Sequence, residues 1–187
     1  MSIVLVGSTS GSITLQEPAV AGTTVLTLPA VSGTIITTGS PQSQSVIQVV
    51  NGTPLSSQAS TSSTSPVTTG LAASITPTNS SNKILILVNG TSDTSASNSM
   101  CGVTVYRGGT NLATAFGKTN LVNNYGAGSR IITNTNINFL DSPSTTSSTT
   151  YTVYFYNVTG STAATVRFGA DGLEGSLATI ILMEIAA

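Results

Sequence analysis

The chain consists largely of short segments in which apolar and polar side chains alternate. In Met100–Arg107, for example, Cys101, Val103 and Val105 occupy alternate positions, and Thr104 separates two of them. A period of two is that of a β-strand with one buried face, because successive side chains point to opposite sides of a strand. No segment has convincing helical periodicity. The pattern therefore predicts an all-β protein.

Segments of this kind recur from residue 46 onward, separated by clusters of Ser, Thr, Asn and Gly. We predict strands at Val46–Val50, Ala72–Thr76, Lys83–Val88, Met100–Arg107, Leu112–Phe116, Ile131–Leu140, Tyr151–Asn157, Ala164–Phe168 and Ala178–Ile185. The connectors 57–70, 89–99 and 141–150 are rich in Ser and Thr and are predicted to be flexible loops. This spacing of strands favours a β-sandwich with a jelly-roll-like topology.

The strand predicted around residue 154 carries aromatic side chains on both of its faces. Tyr151, Val153 and Phe155 share one face, which we expect in the core, and Tyr154 and Tyr156 share the other. Tyrosine combines a large contact area with a polar end, which suits a protein interface. The face of Tyr154 and Tyr156 is therefore the predicted subunit interface.

Arg107 is a second predicted subunit contact. It lies in Tyr106–Thr110, where two glycines follow it and indicate the tip of a hairpin. A basic side chain at such a tip could contact a neighbouring subunit.

Residues 1–40 differ from the rest because they contain an imperfect repeat. Two Pro–Gly units, Pro18–Gly22 and Pro29–Gly33, are 11 residues apart, and each follows a short apolar strand. Strands this short cannot bury a core alone and need a neighbour. We therefore predict an attachment arm at 1–40, a linker at 41–45 and a head domain at 46–187. The predicted attachment residues are Ile13, Leu15, Pro18, Val25, Leu26, Leu28, Pro29, Ile35 and Ile36.

Charge is scarce along the whole chain. Only 6% of the residues are charged and the formal net charge is −1, whereas about 25% is usual in globular proteins. The basic residues are Lys83, Arg107, Lys118, Arg130 and Arg167. They form no cluster, which excludes a nucleic acid as an expected partner. A nearly neutral surface also resists self-association poorly.

The residues needed for catalysis are mostly missing. The chain has no His and no Trp, so Ser-His-Asp triads, Cys–His pairs and zinc sites made of His and Cys cannot form. Asp171 and Glu174 are close in sequence, but their glycine-rich surroundings favour a solvated loop over a catalytic or calcium-binding pair. Cys101 is the single cysteine and is expected to be a buried structural thiol. We predict no enzyme activity, no cofactor and no metal site.

The chain resembles a family through its N-terminal repeat. Gly11–Thr34 resembles a segment that recurs in structural proteins of tailed bacteriophages, notably those of cyanobacteria and other aquatic bacteria. The resemblance continues in Val46–Asn51, Thr69–Pro77, Ser81–Val88 and Ile181–Ala186, and it covers most of the chain. It implies a virion protein of the tail-fibre or capsid-decoration type, usually a homotrimer with a β-rich C-terminal head.

Within this family two functions are expected. The repeat begins almost at Met1 and no long shaft follows it, which favours a capsid cement protein that stabilises the shell. Its partners would be copies of itself and the major capsid protein. The alternative is a short tail fibre or receptor-binding protein that contacts a host-surface receptor. The longest apolar runs are too short for a membrane span. The first residues lack the basic region of a signal peptide, so we expect synthesis in the host cytoplasm and a final location in the virion.

Overall fold

The structure is a computed structural model, and it describes residues 3–15, 30, 41–95, 99–112, 120–124, 130–159, 166–169 and 177–187. The chain divides into two compact units, Met1–Ile36 and Thr37–Ala187. Each unit is described by itself below. The apolar pieces 24–28 and 35–36 of the N-terminal repeat lie outside the described residues.

The first unit contains a short antiparallel hairpin. Strand β1 (Ile3–Val6) pairs with β2 (Ser12–Leu15), and the amide of Gly7 donates a hydrogen bond to the carbonyl of Gly11 at 2.9 Å. Gly11 has a φ of 78°, a conformation that favours glycine. A two-stranded hairpin is at best marginally stable alone in water, so this hairpin needs further contacts to persist.

The second unit is a set of antiparallel strands. Those described are β3 (Val46–Asn51), β4 (Gln58–Thr61), β5 (Val67–Ile75), β6 (Lys83–Thr94), β7 (Ser99–Arg107), β8 (Thr110–Asn111), β9 (Asn120–Asn124), β10 (Ile131–Asp141), β11 (Thr149–Asn157), β12 (Val166–Gly169) and β13 (Thr179–Ile185).

Eight of these strands form four nested antiparallel pairs, which is the arrangement of a jelly roll. β3 pairs with β13, β5 with β11, β6 with β10, and β7 with β9. The first strand of this set thus pairs with the last, and the pairing continues inward until the two middle strands meet. The predicted all-β, jelly-roll-like sandwich is confirmed.

The strands lie in two sheets, which we name after their central strands. The β6 sheet has the order β3-β13-β6-β10, and β12 and β4 extend it along the C-terminal half of β6. The β7 sheet has the order β5-β11-β7-β9, and β8 pairs with the other end of β7. Because the inner faces of the two sheets are apolar, they pack together and leave two outer faces.

One apolar core fills the space between the sheets. Its fully buried members include Leu71, Ile75, Ile84, Ile86, Val88, Val103, Val105, Tyr151, Val153, Phe155, Phe168, Ile180 and Leu182. The predicted burial of Tyr151, Val153 and Phe155 is therefore confirmed. On the opposite face of β11, Tyr154 and Tyr156 are only partly buried. Burial of each large apolar side chain contributes roughly 1.5–3 kcal/mol.

The Ser/Thr-rich connectors are more regular than we predicted. β6 continues through 89–94, β4 occupies 58–61, and β5 begins within the first connector at Val67. The prediction of flexible loops is wrong for these segments. The physical reason is that a β-ladder needs only backbone N–H and C=O groups, and the branched side chain of Thr suits a strand.

Gly90 allows a close contact in the core. A Cβ there would lie 2.6 Å from Cζ of Phe168 and 3.1 Å from Cβ of Ala178. We expect Gly90→Ala to lower the free energy of unfolding by about 2 kcal/mol because the core would be overpacked. Urea unfolding followed by circular dichroism measures it. Gly109→Ala is the matched control, because no atom lies within 4 Å of a Cβ there. Equal stability of the two variants would contradict this packing.

Candidate interaction surfaces

Every acidic side chain that the structure describes is buried. Asp93 and Glu184 are completely inaccessible, and Asp141 is 2% exposed. A buried carboxylate is costly unless partners compensate for the lost water. These three carboxylates and the arginines that bind them are most of the charged side chains that the structure describes.

Asp141 joins the two sheets through a hydrogen-bonded ion pair. Nη1 of Arg107, at the end of β7, donates to Oδ1 and Oδ2 of Asp141 at 2.9 and 2.8 Å. The hydroxyl of Tyr151, on β11, donates to Oδ2 at 2.7 Å. Burial raises the pKa of Tyr151, and the bond to Asp141 raises it further. The tyrosine therefore remains a neutral donor.

Arg107 thus has a partner in its own chain. Its side chain remains 30% exposed, and its Nη1 also donates a hydrogen bond to the carbonyl of Ser142 at 3.1 Å. Its role in a subunit contact stays a prediction.

Glu184 is held by donors from β3 and from the connection between β5 and β6. Oε1 accepts hydrogen bonds from the Thr78 amide and hydroxyl at 2.7 and 2.8 Å and from Asn82 Nδ2 at 2.6 Å. Oε2 accepts one from Gln48 Nε2 at 2.5 Å. Burial by itself raises the pKa of Glu184, but the four hydrogen bonds outweigh it and leave the pKa below its ordinary value. The carboxylate links β3, β13 and the connection between β5 and β6.

Asp93 is bound by two arginines on the outer face of the β6 sheet. Its Oδ2 lies 2.7 Å from Nη2 of Arg130 and 2.9 Å from Nη1 of Arg167. Both arginine side chains are about one third exposed. The fold therefore brings Arg107, Arg130 and Arg167, which are far apart in the sequence, to buried carboxylates.

Cys101 is buried and chemically quiet. Burial is the main cause that raises its pKa, to about 12; a hydrogen bond with Ser92 opposes the rise and the nearby Asp93 carboxylate adds to it. The thiolate needed for reaction is therefore scarce at neutral pH. The predicted buried thiol is confirmed. Within the described ranges, no three His, Cys, Asp or Glu side chains come together as metal ligands. Asp171 and Glu174 lie outside those ranges.

The outer face of the β7 sheet carries the predicted tyrosine interface. The rings of Tyr106 and Tyr154 stack with centroids 4.1 Å apart and planes inclined by 34°. The ring of Tyr156 lies over Gly102, where a Cβ would be 2.7 Å from it and 2.9 Å from Val158. Because these rings already cover their own strand, only part of each remains available to another molecule.

The outer face of the β6 sheet is apolar over the half that begins at Lys83. Paired residues form rows across the strands, namely Val46–Ile185, Val49–Met183–Leu85–Leu140 and Ile181–Leu87. Val46, Val49 and Leu140 are 54%, 53% and 42% exposed, and the others are partly exposed. We call these eight residues the apolar face. Apolar patches of a few hundred Å² are often functional and can mark a site of protein contact.

Our sequence reasoning missed the apolar face, although a signal was present. The runs Ile84–Val88 and Ile180–Met183 are continuously apolar rather than alternating. Such runs indicate strands with two apolar faces. We used them to predict the strands Lys83–Val88 and Ala178–Ile185 and to exclude a membrane span, but not to infer a second apolar face. The predicted tyrosine interface rested on residue type and on the alternation along Tyr151–Asn157.

Beyond the apolar face, the same sheet becomes rich in amides. Asn89, Asn134 and Asn136 line a small open cleft of about 230 Å³ together with Thr91 and Leu177. The cleft offers hydrogen-bond donors and acceptors without charge. It is smaller than typical ligand pockets, which are about 300–1,000 Å³.

Two of the predicted attachment residues, Ile13 and Leu15, lie on β2. The remaining ones are outside the described residues; they are Pro18, Val25, Leu26, Leu28, Pro29, Ile35 and Ile36. On the partner strand β1, Val4, Leu5 and Val6 are exposed, and Val6 is 79% exposed. Sequence reasoning did not identify this strand.

Comparisons with known proteins leave the family open. No protein-family model matches the chain, and no curated protein matches it. The resemblance to phage virion proteins stays a prediction. In the part of the chain that the structure describes, no helix is long and apolar enough to cross a membrane.

The contribution of the ion pair between Asp141 and Arg107 to the stability of the head can be tested by substitution. Asp141→Asn is expected to lower the free energy of unfolding by about 3 kcal/mol, because Arg107 loses its counter-charge in a largely buried site. Tyr151→Phe is the control. It keeps the ion pair and should cost only about 1 kcal/mol. Urea unfolding at neutral pH measures both variants. A cost for Asp141→Asn no greater than that for Tyr151→Phe would mean that the ion pair adds nothing.

The role of Glu184 can be tested through the pH dependence of the free energy of unfolding. A carboxylate whose pKa is lowered by folding stabilises the folded state above its unfolded-state pKa, near 4.3. This stabilisation is lost as the pH falls through the lower folded-state value. We therefore expect the free energy of unfolding to decrease below about pH 4.3, and Glu184→Gln to make this decrease shallower. Urea titrations at several acidic pH values measure the slopes. Identical slopes in both proteins would contradict the proposed role of Glu184.

Proposed function

We propose that this chain is a non-enzymatic structural protein of a tailed-bacteriophage virion, namely a homotrimeric capsid cement protein that stabilises the shell. The resemblance of its repeat and head to phage virion proteins supports the virion. The observation that carries self-assembly is the burial of Asp93, Asp141 and Glu184. With these charges inside, little repulsion keeps two copies of the head apart.

The hairpin of the first unit supports attachment. Val4, Leu5 and Val6 expose apolar side chains, and the described β1 and β2 pair only with each other. An unpaired strand edge can accept a further strand from a partner. In this proposal the arm binds the major capsid protein and the head binds other copies. Bound copies stabilise the shell by mass action, because they bind the assembled state and not its separated parts.

A second function, host attachment by a short tail fibre or receptor-binding protein, is favoured by the amide-lined cleft. Asparagine side chains can donate to and accept from the hydroxyls of a surface glycan. The number of copies per virion separates the two functions. Hundreds of copies support a cement protein, whereas a few dozen at most support a fibre. Quantitative mass spectrometry of purified virions gives this number.

The absence of enzyme activity is proposed on chemical grounds. The chain has no His, and each carboxylate that the structure describes is engaged with structural partners. None of these groups is placed to act as a general acid or base in an open cleft.

The arm provides the experimental test of attachment. The double variant Val4→Asp and Val6→Asp is expected to bind at least about tenfold more weakly to virus particles that lack this protein. The reason is that the new carboxylates would have to lose water in an apolar contact. Purified full-length chain is added back to the particles, and the bound copies are counted by mass spectrometry. Val158→Asp, the same change at an exposed site on the head, is the matched control. Undiminished binding of the double variant would contradict the role of the arm.

A further inference from the structure

We infer that copies of this chain pack against one another through the outer face of the β6 sheet, with the apolar face at the centre of the contact. The inference rests on the self-association in the proposed function and names the surface. Because the same face meets itself on two copies, this contact is two-fold and does not by itself build the homotrimer of that proposal. It also replaces the tyrosines of β11 as the centre of the subunit contact.

The first argument is the distribution of charge on this face. Lys83 lies at one end, and Asp93 with its two arginines lies at the other. Between these ends, the outward positions of the four paired strands carry no charged side chain. The centres of protein interfaces are depleted of charge in the same way. A copy of the same face would therefore meet no repulsion over the apolar rows.

The second argument is size. The open part of the face runs from Lys83 to Asn89, since Thr91 and Asp93 on the same side are buried. Seven residues at about 3.3 Å and four strands at about 4.8 Å give a face of roughly 23 by roughly 19 Å, or about 450 Å². Two such faces in contact bury about 900 Å² when each is treated as a flat rectangle, without the extra area of protruding side chains. This is close to the roughly 1,000 Å² that a specific interface needs.

The third argument is chemistry. On the side away from Lys83, the rim of the apolar face consists of neutral amides, those of Asn51, Asn89 and Asn138. An amide can both donate and accept, so the same rim on two copies can form hydrogen bonds in either orientation. A second copy of this face, with the same uncharged centre, is the occupant that fits these features.

The test is the mass of the full-length protein in solution, measured by light scattering during size-exclusion chromatography over a dilution series. Val49→Asp places a carboxylate in the row Val49–Met183–Leu85–Leu140 and should raise the dissociation constant about 100-fold or more. Leu140→Ser, at the other end of the row, removes apolar area without adding charge and should also weaken the oligomer. Val158→Asp is the matched control, because it is the same change on the tyrosine side and should leave the oligomer intact. Circular dichroism checks that each variant is folded.

The outcomes distinguish this inference from the proposed function. A wild-type chain that remains monomeric at all concentrations would overturn both. An oligomer that survives Val49→Asp and Leu140→Ser but dissociates with Val158→Asp would overturn the inference alone and restore the tyrosine face. An oligomer that resists all three changes would also overturn it, including the case in which residues of the arm cover the face. If Val49→Asp fails to fold, Leu140→Ser and Val158→Asp decide between the faces.

Discussion

The head depends on the partners that compensate its buried carboxylates. A jelly roll brings together strands that are far apart in the chain, and several strands here are so polar that slippage by one residue would cost little apolar burial. In β10, four polar residues follow one another from Thr133 to Asn136 and give no apolar signal that fixes the register. Asp141 at its end can meet Arg107 and Tyr151 in only one register. We interpret the buried carboxylates as the groups that fix register, a role for which buried polar groups are best attested.

The same pairing determines the character of the surface. Because Asp93, Asp141 and Glu184 are buried, no acidic side chain that the structure describes is exposed, and the centre of the outer face of the β6 sheet presents amides and apolar side chains. Such a surface has little long-range repulsion, and its contacts must come from apolar area and short-range hydrogen bonds. The apolar rows of the β6 sheet and the exposed side chains of β1 are then surfaces for partners. Stability of the head and the capacity to associate therefore have one origin.

Local patterns predicted most of the head but not its polar extensions or its charge pairs. Alternation identified β7 and β11 and their buried faces, since a period of two is a local property. It could not extend β6 past Val88, because Thr, Ser and Asn give no apolar signal although their backbone pairs equally well. The bond between Arg107 and Asp141 joins residues 34 positions apart, and no local pattern specifies which acid meets which base. The continuous apolar run in β6 indicates that this strand has apolar side chains on both sides. The extent of the outer apolar face follows only from the pairing of β6 with β13 and β10.

The account holds that the chain assembles through uncharged surfaces, so its oligomer should be insensitive to ionic strength. Sedimentation velocity of the full-length protein at about 0.05 M and about 1 M NaCl measures this directly, because salt screens contacts between charges and not apolar contacts. The account predicts the same oligomer at both salt concentrations. A monomer under both conditions, or an oligomer that dissociates at high salt, would contradict it.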